Sequence, residues 1–127
     1  MNHSAKTFFN TLLISIAVTR LWAVSLFYLF GNNSDLTNKI VNDGFHHYQV
    51  GLILCVAGLL FRKFIKSMVI VAVGLGIFLE EWPVFLNDLG LKTNSLYHTK
   101  IDFISIFTLA LFVYLAFWLG AKRYKNP

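Results

Sequence analysis

Charge is what this chain has least of. Only 13% of its 127 residues are Asp, Glu, Lys or Arg, against about 25% in an average soluble domain. Acid is the scarcer sign: six Asp and Glu stand against 11 Lys and Arg, a formal net charge of +5. A single cysteine, Cys55, excludes an internal disulfide framework and a dithiol redox cycle. It sits in an apolar run and reads as packing material. The sequence has no H-E-x-x-H and no pair of E-x-x-H motifs, the spacings that mark zinc proteases and di-iron bundles. It has no glycine-rich phosphate loop either. Gly74-Leu75-Gly76 lies inside an apolar run and reads as a packing notch. No serine stands in a convincing Ser-His-Asp arrangement.

Apolar residues fill the space that charge leaves. They make up 57% of the chain, 17% of it is aromatic, and the mean hydropathy is +0.63. A chain this short has a large surface for its volume, so in water much of that surface would be apolar. Long apolar aromatic runs exclude disorder. Lipid is the solvent that suits this composition.

Four segments carry the apolar character, at about residues 7–30, 45–65, 64–86 and 101–121. A spanning helix needs roughly 17–25 residues. Strands are excluded, because the runs are long and lack alternation. The expectation is an all-α membrane protein: one domain over 1–127, a four-helix transmembrane bundle. The first segment is not read as a cleaved leader, despite Lys6 and the passable site Ala23-Val24-Ser25. Arg20 interrupts it, and apolar sequence continues to Phe30.

Basic residues set the orientation. Arg62, Lys63 and Lys66 lie between the second and third segments, and Lys122, Arg123 and Lys125 follow the fourth, with no acid among them. The stretches 31–44 and 87–100 are balanced. Both termini are therefore expected in the cytoplasm, in a multi-pass arrangement in the cell inner membrane. The expected partners are the lipid bilayer and either a second copy or another membrane protein. Nucleic acid is excluded, because no basic soluble face with readout residues exists.

The ionisable residues inside the apolar segments are the candidate site. Charges in a span normally face the bundle interior or a cavity. At 1.5 Å per residue, Arg20 and Glu80 each lie about 21 Å above the inner surface. Glu81, His46, His47, His98 and Asp102 fall at overlapping depth. The cluster is thus Arg20, His46, His47, Glu80, Glu81, His98 and Asp102, near the outer face. Imidazoles and carboxylates are ligands for iron, zinc or manganese, so His47, Glu81, His98 and Asp102 are the tentative ligands of a divalent metal ion. Arg20 is expected to pair with one of the two glutamates; which one the sequence leaves open. Small residues at four-residue steps, Ala72 and Gly76 below Glu80, and Gly51 and Cys55 below His47, mark faces for close helix approach. Pro83 is expected to bend the outer end of the third helix. Trp82 and Trp118 suit the two interfaces; Trp22 lies deeper.

The polar patterns Asp43-Gly44-Phe45-His46-His47, Glu80-Glu81-Trp82 and Tyr97-His98-Thr99-Lys100-Ile101-Asp102 resemble those of small bacterial inner-membrane proteins of the YjdF-like type. The resemblance covers residues 43–47, 80–82 and 97–102 only. It implies a multispan membrane fold and no particular activity. Three function classes follow from the residues. The leading expectation is a polar cluster binding a metal or protons. The second is an accessory or assembly membrane protein whose Arg–Glu cluster is structural. The third is a small proton-coupled transporter. Whether the chain is an enzyme stays open.

Overall fold

The computed structural model describes residues 3–30, 46–61, 67–96 and 99–123. The elements in chain order are α1 (His3–Phe30), α2 (His47–Leu60), α3 (Ser67–Glu80), α4 (Trp82–Asp88), a 3₁₀ turn (Asn94–Leu96) and α5 (Lys100–Arg123). The described residues are all-α, as the long unalternating runs require.

Among the described residues, two helices are long and apolar enough to cross a membrane, over Ala5–Leu26 and Lys100–Gly120. A third candidate is α3 with α4, bent by 68° at the break between them. The expected set of four full spans is corrected accordingly. The second segment yields a helix of 14 residues, about 21 Å long, against a hydrocarbon core of about 30 Å. The third segment is broken. α3 ends at Glu80, Glu81 leaves helical geometry at φ −108°, ψ 20°, and Pro83 sits in the first turn of α4. Proline is tolerated there because first-turn N–H groups lack helical partners. The Val84 and Phe85 N–H groups bond the Glu81 carbonyl at 3.0 and 3.1 Å. α4 ends in a Schellman arrangement. Gly90, at φ +92°, donates to the Asn87 carbonyl, and Leu91 donates to that of Leu86.

α3 is the central helix, and its glycines explain why. A Cβ on Gly74 would lie 2.6 Å from the Gly51 carbonyl oxygen, and one on Gly51 would lie 2.6 Å from that of Gly74. α2 and α3 therefore meet backbone to backbone. Two residues on, about 200° around the helix, a Cβ on Gly76 would lie 2.6 Å from Ser15 Cβ and 2.9 Å from the Leu12 carbonyl. Ser15 Oγ donates to the Val73 carbonyl at 2.9 Å, so α1 seats on the opposite side. Small faces of the second and third segments do meet, through Gly51 and Gly74. The Ala72–Gly76–Glu80 face turns to α1 instead.

Phe8, Leu12, Ala72, Leu79 and Ala110 form the buried core of α1, α3 and α5. At one end of the α1–α5 pair, Phe8 stacks on Phe117 at 4.9 Å and Phe9 meets Tyr114 at 4.9 Å. Outward faces stay apolar: Ile14 and Leu21 on α1 and Ile104, Phe107 and Phe112 on α5 are all exposed. Trp22 joins that outward face. A surface of this kind is a liability in water and ordinary in lipid.

Candidate functional site

The polar residues assemble into two clasps that begin at adjacent residues. The first gathers three helices around Arg20. Its Nε lies 3.1 Å from Glu80 Oε1, and its Nη2 lies 2.8 Å from Asp102 Oδ2. The Arg20 side chain is 10% exposed and both carboxylates are fully buried. The guanidinium also lies over the Phe103 ring, 4.9 Å from its centre. Charge-assisted bonds from a planar fork are the strong kind. Such a set holds only when every partner is in place, because a lone buried charge is costly.

Local sequence puts Asp102 there. Thr99 caps α5, its Oγ1 accepting from the Asp102 N–H at 3.4 Å, and an acid in the first turn suits the positive end of the helix. Trp82 adds a strap from α4. Its indole N–H donates to Ser105 Oγ at 3.0 Å, and Ser105 donates to the Asp102 carbonyl at 2.6 Å.

The second clasp joins α2 to the break after α3. His47 Nδ1 and Glu81 Oε1 are 3.0 Å apart. Glu81 Oε2 accepts the Tyr48 backbone N–H at 3.0 Å. α2 begins at His46 with no side-chain cap of its own. Glu81 thus satisfies one of the orphan donors at its N-terminus from another helix. Tyr48 in turn donates its hydroxyl to Asp88 Oδ2 at 2.6 Å, and His46 Nε2 lies 3.8 Å from the same oxygen. The Tyr48 ring packs edge-on to Phe85, which packs on Phe78.

The metal-centre expectation is overturned. Among the described residues, no group of three or more His, Cys, Asp and Glu is placed to hold a metal ion. The tentative ligands are divided instead. His47 and Glu81 hold each other, and Asp102 holds Arg20. His98 lies outside the described residues. The physical reason is the helix break. It sends Glu80 and Glu81 to different helices, so the carboxylates never converge on one point. The single polar cluster binding a metal or protons near the outer face is therefore replaced by a buried network of ion pairs with a structural role. Arg20 does pair with a glutamate as expected, and that glutamate is Glu80.

Sequence reasoning missed two parts of this network. Asp102 was grouped with His98, yet it serves Arg20. Neither Tyr48 nor Asp88 stands out in the sequence, yet the Tyr48 hydroxyl donates to Asp88 Oδ2. The missing cap residue before His47 was the one available signal for Glu81, because an uncapped helix start inside the protein needs an acceptor from elsewhere. Comparison with family models, curated proteins and solved structures finds no match to this chain.

Proposed function

We propose that this chain is a multi-pass inner-membrane accessory or assembly protein, in which the Arg20 network is a structural clasp rather than a working centre. The observation that carries this reading is the engagement of Arg20 by two buried carboxylates from two other helices. Its charge is taken up internally, as a fold-locking residue requires. The exposed apolar faces of α1 and α5 and the two long apolar helices support membrane embedding. The resemblance of residues 43–47, 80–82 and 97–102 to YjdF-like inner-membrane proteins agrees with a multispan placement.

Both termini face the cytoplasm in this reading, on the side of Arg62, Lys63 and Lys66 and of the basic tail. α2 and α3 lie along each other through Gly51 and Gly74, and so act as one hairpin. With its basic tip on the cytoplasmic side, the hairpin adds two crossings. With α1 and α5 it leaves both ends on one side. Together the helices form a four-helix bundle with a short second member. Partner recognition falls to the balanced stretches 31–44 and 87–100 on the other side.

The test compares Arg20→Met with the triple variant Arg20→Met, Glu80→Gln, Asp102→Asn. A structural clasp predicts that the single change destabilises strongly and the neutral triple recovers most of the loss, because no unpaired charge remains. It also predicts that the triple variant migrates in native membranes in the same high-mass assembly as the parent. A parent that is monomeric in mild detergent and in native membranes would end the assembly reading.

A further inference from the structure

Lipid changes what can hold helices together. Acyl chains are as apolar as leucine, so close packing and polar bonds do the holding. The helices differ in how much of each they have. α1 and α2 meet α3 at contacts so close that a Cβ on Gly51, Gly74 or Gly76 would lie 2.6 Å from a neighbouring atom. α5 buries one stripe, Asp102, Ile106 and Ala110, at four-residue steps. Phe103, Ile104, Phe107, Leu111 and Phe112 beside that stripe are exposed. A Cβ on Gly120 would meet nothing within 4 Å. Directional contacts tie α5 down at its two ends. At the outer end Arg20 holds Asp102 at 2.8 Å, and Trp82 bonds Ser105 at 3.0 Å. At the inner end Phe117 stacks on Phe8 and Tyr114 meets Phe9.

The outer ties are arranged so that they can part cheaply. Arg20 holds Asp102 through Nη2 and Glu80 through Nε. Parting from Asp102 leaves it paired with the acid of α3. Ser105 donates to the Asp102 carbonyl on its own helix, and it keeps that bond when Trp82 lets go. Asp102 lies two residues inside the start of α5, about 3 Å along the helix, so its carboxylate can reach the outer interface. A helix satisfies its own backbone groups, and none is bared when it moves through lipid. The inner contacts are different. Aromatic pairs attract beyond the area they bury, and rings can turn on one another while staying in contact.

We infer that α5 is a hinged helix: its outer half docks on and undocks from the core of α1, α2 and α3, pivoting on the aromatic contacts at its inner end. Arg20 with Asp102 is the latch, and Trp82 with Ser105 is its strap. Arg20 with Glu80 stays closed throughout, as part of the core. The inference rests on the membrane embedding of the chain. It is independent of the assembly role.

The experiment is double electron–electron resonance on full-length protein in vesicles of dioleoyl phosphatidylethanolamine and phosphatidylglycerol. Nitroxide pairs are placed at exposed sites on a Cys55→Ala background. Leu21 with Ile104 reports the outer ends of α1 and α5, Asn10 with Leu119 their inner ends, and Val18 with Ile53 the core across α1 and α2. In the parent the outer pair should show a minor longer distance beside the main one, and the other two pairs a single distance each. Asp102→Ala should raise the longer fraction severalfold and leave the other pairs as they were. Trp82→Phe should raise it less. A single outer distance in the parent overturns the inference, as does a longer fraction that a folded Asp102→Ala leaves unchanged. Lengthening of the inner pair along with the outer would show that α5 leaves whole, and lengthening of the core pair that the core loosens with it; either overturns the hinge. If circular dichroism shows that Asp102→Ala has lost its helices, the parent and Trp82→Phe decide. Failure of the parent to stay with the vesicles at flotation would instead sink the membrane embedding itself.

Discussion

Glu80 has no exposed surface and reaches Arg20 at 3.1 Å, whereas Glu81, 6% exposed, turns to His47 at 3.0 Å and to the start of α2. The first clasp sets one guanidinium against two carboxylates. It is buried between helices, so it needs a permanently charged partner, and Arg20 supplies one. The second clasp uses a weaker partner. The His47 side chain is 37% exposed, and half of what Glu81 does is to cap a helix backbone. One residue type in adjacent positions thus performs two tasks. The bend between α3 and α4 is what separates them. Each clasp also sits above a close glycine contact on its own side of α3: Gly76 against Ser15 below Glu80, and Gly74 against Gly51 below Glu81. Close packing brings the helices together, and the carboxylate above it fixes their register.

The sharpest way to break this pairing of clasps is to remove Arg20. Arg20→Leu leaves Glu80 and Asp102 buried without their cation, and the expected loss is about 3–5 kcal/mol. Thermal unfolding in detergent reads it as a large fall in Tm; a change within error would show that the two acids do not depend on Arg20. Next comes the glycine contact under the second clasp. Gly74→Ala puts a methyl 2.6 Å from a backbone carbonyl, so α2 must shift, at a cost of about 1–3 kcal/mol. Spin-label distances should lengthen between α2 and α3 and stay unchanged between α1 and α3. Equal lengthening in both would mean the two sides of α3 are not separate.

Glu81→Ala should be milder than Arg20→Leu. It removes a cap and a pair whose His47 side is 37% exposed, worth together about 1–2 kcal/mol, and hydrogen exchange should rise at the first turn of α2 before anywhere else. Protection there that survives the substitution would deny Glu81 its capping role. The smallest effect is expected of Trp82→Phe, which gives up the hydrogen bond to Ser105 for about 0.5–1.5 kcal/mol. A double-mutant cycle with Ser105→Ala should show coupling between the two, and additive losses would remove the strap from the description.

Much of this was legible residue by residue. Arg20 inside an apolar run pointed to a buried acid, because an unpaired charge in lipid is costly. Neighbours on a helix point about 100° apart, so the sequence already sets Glu80 and Glu81 on different faces, and the break at Glu81 completes their separation. Gly51 and Gly74 announced close approach, and Pro83 announced a bend. What stayed hidden were the meetings themselves. Asp102 stands 82 residues from Arg20, and nothing in its neighbourhood says that the two will pair. The metal expectation failed for the same reason. Ligand types at similar depth make a metal site only if they converge, and convergence depends on how the helices are rotated.

Composition and pattern alone determined that the described chain is helical, apolar on its outer faces and charged at a few interior positions. Those properties follow from the free energy of moving each residue between water and lipid, which is local to the residue. Tertiary structure decided which carboxylate takes Arg20 and which one caps α2. These depend on the rotation of each helix against its neighbours, set by backbone contact at Gly51, Gly74 and Gly76 and by the break at Glu81.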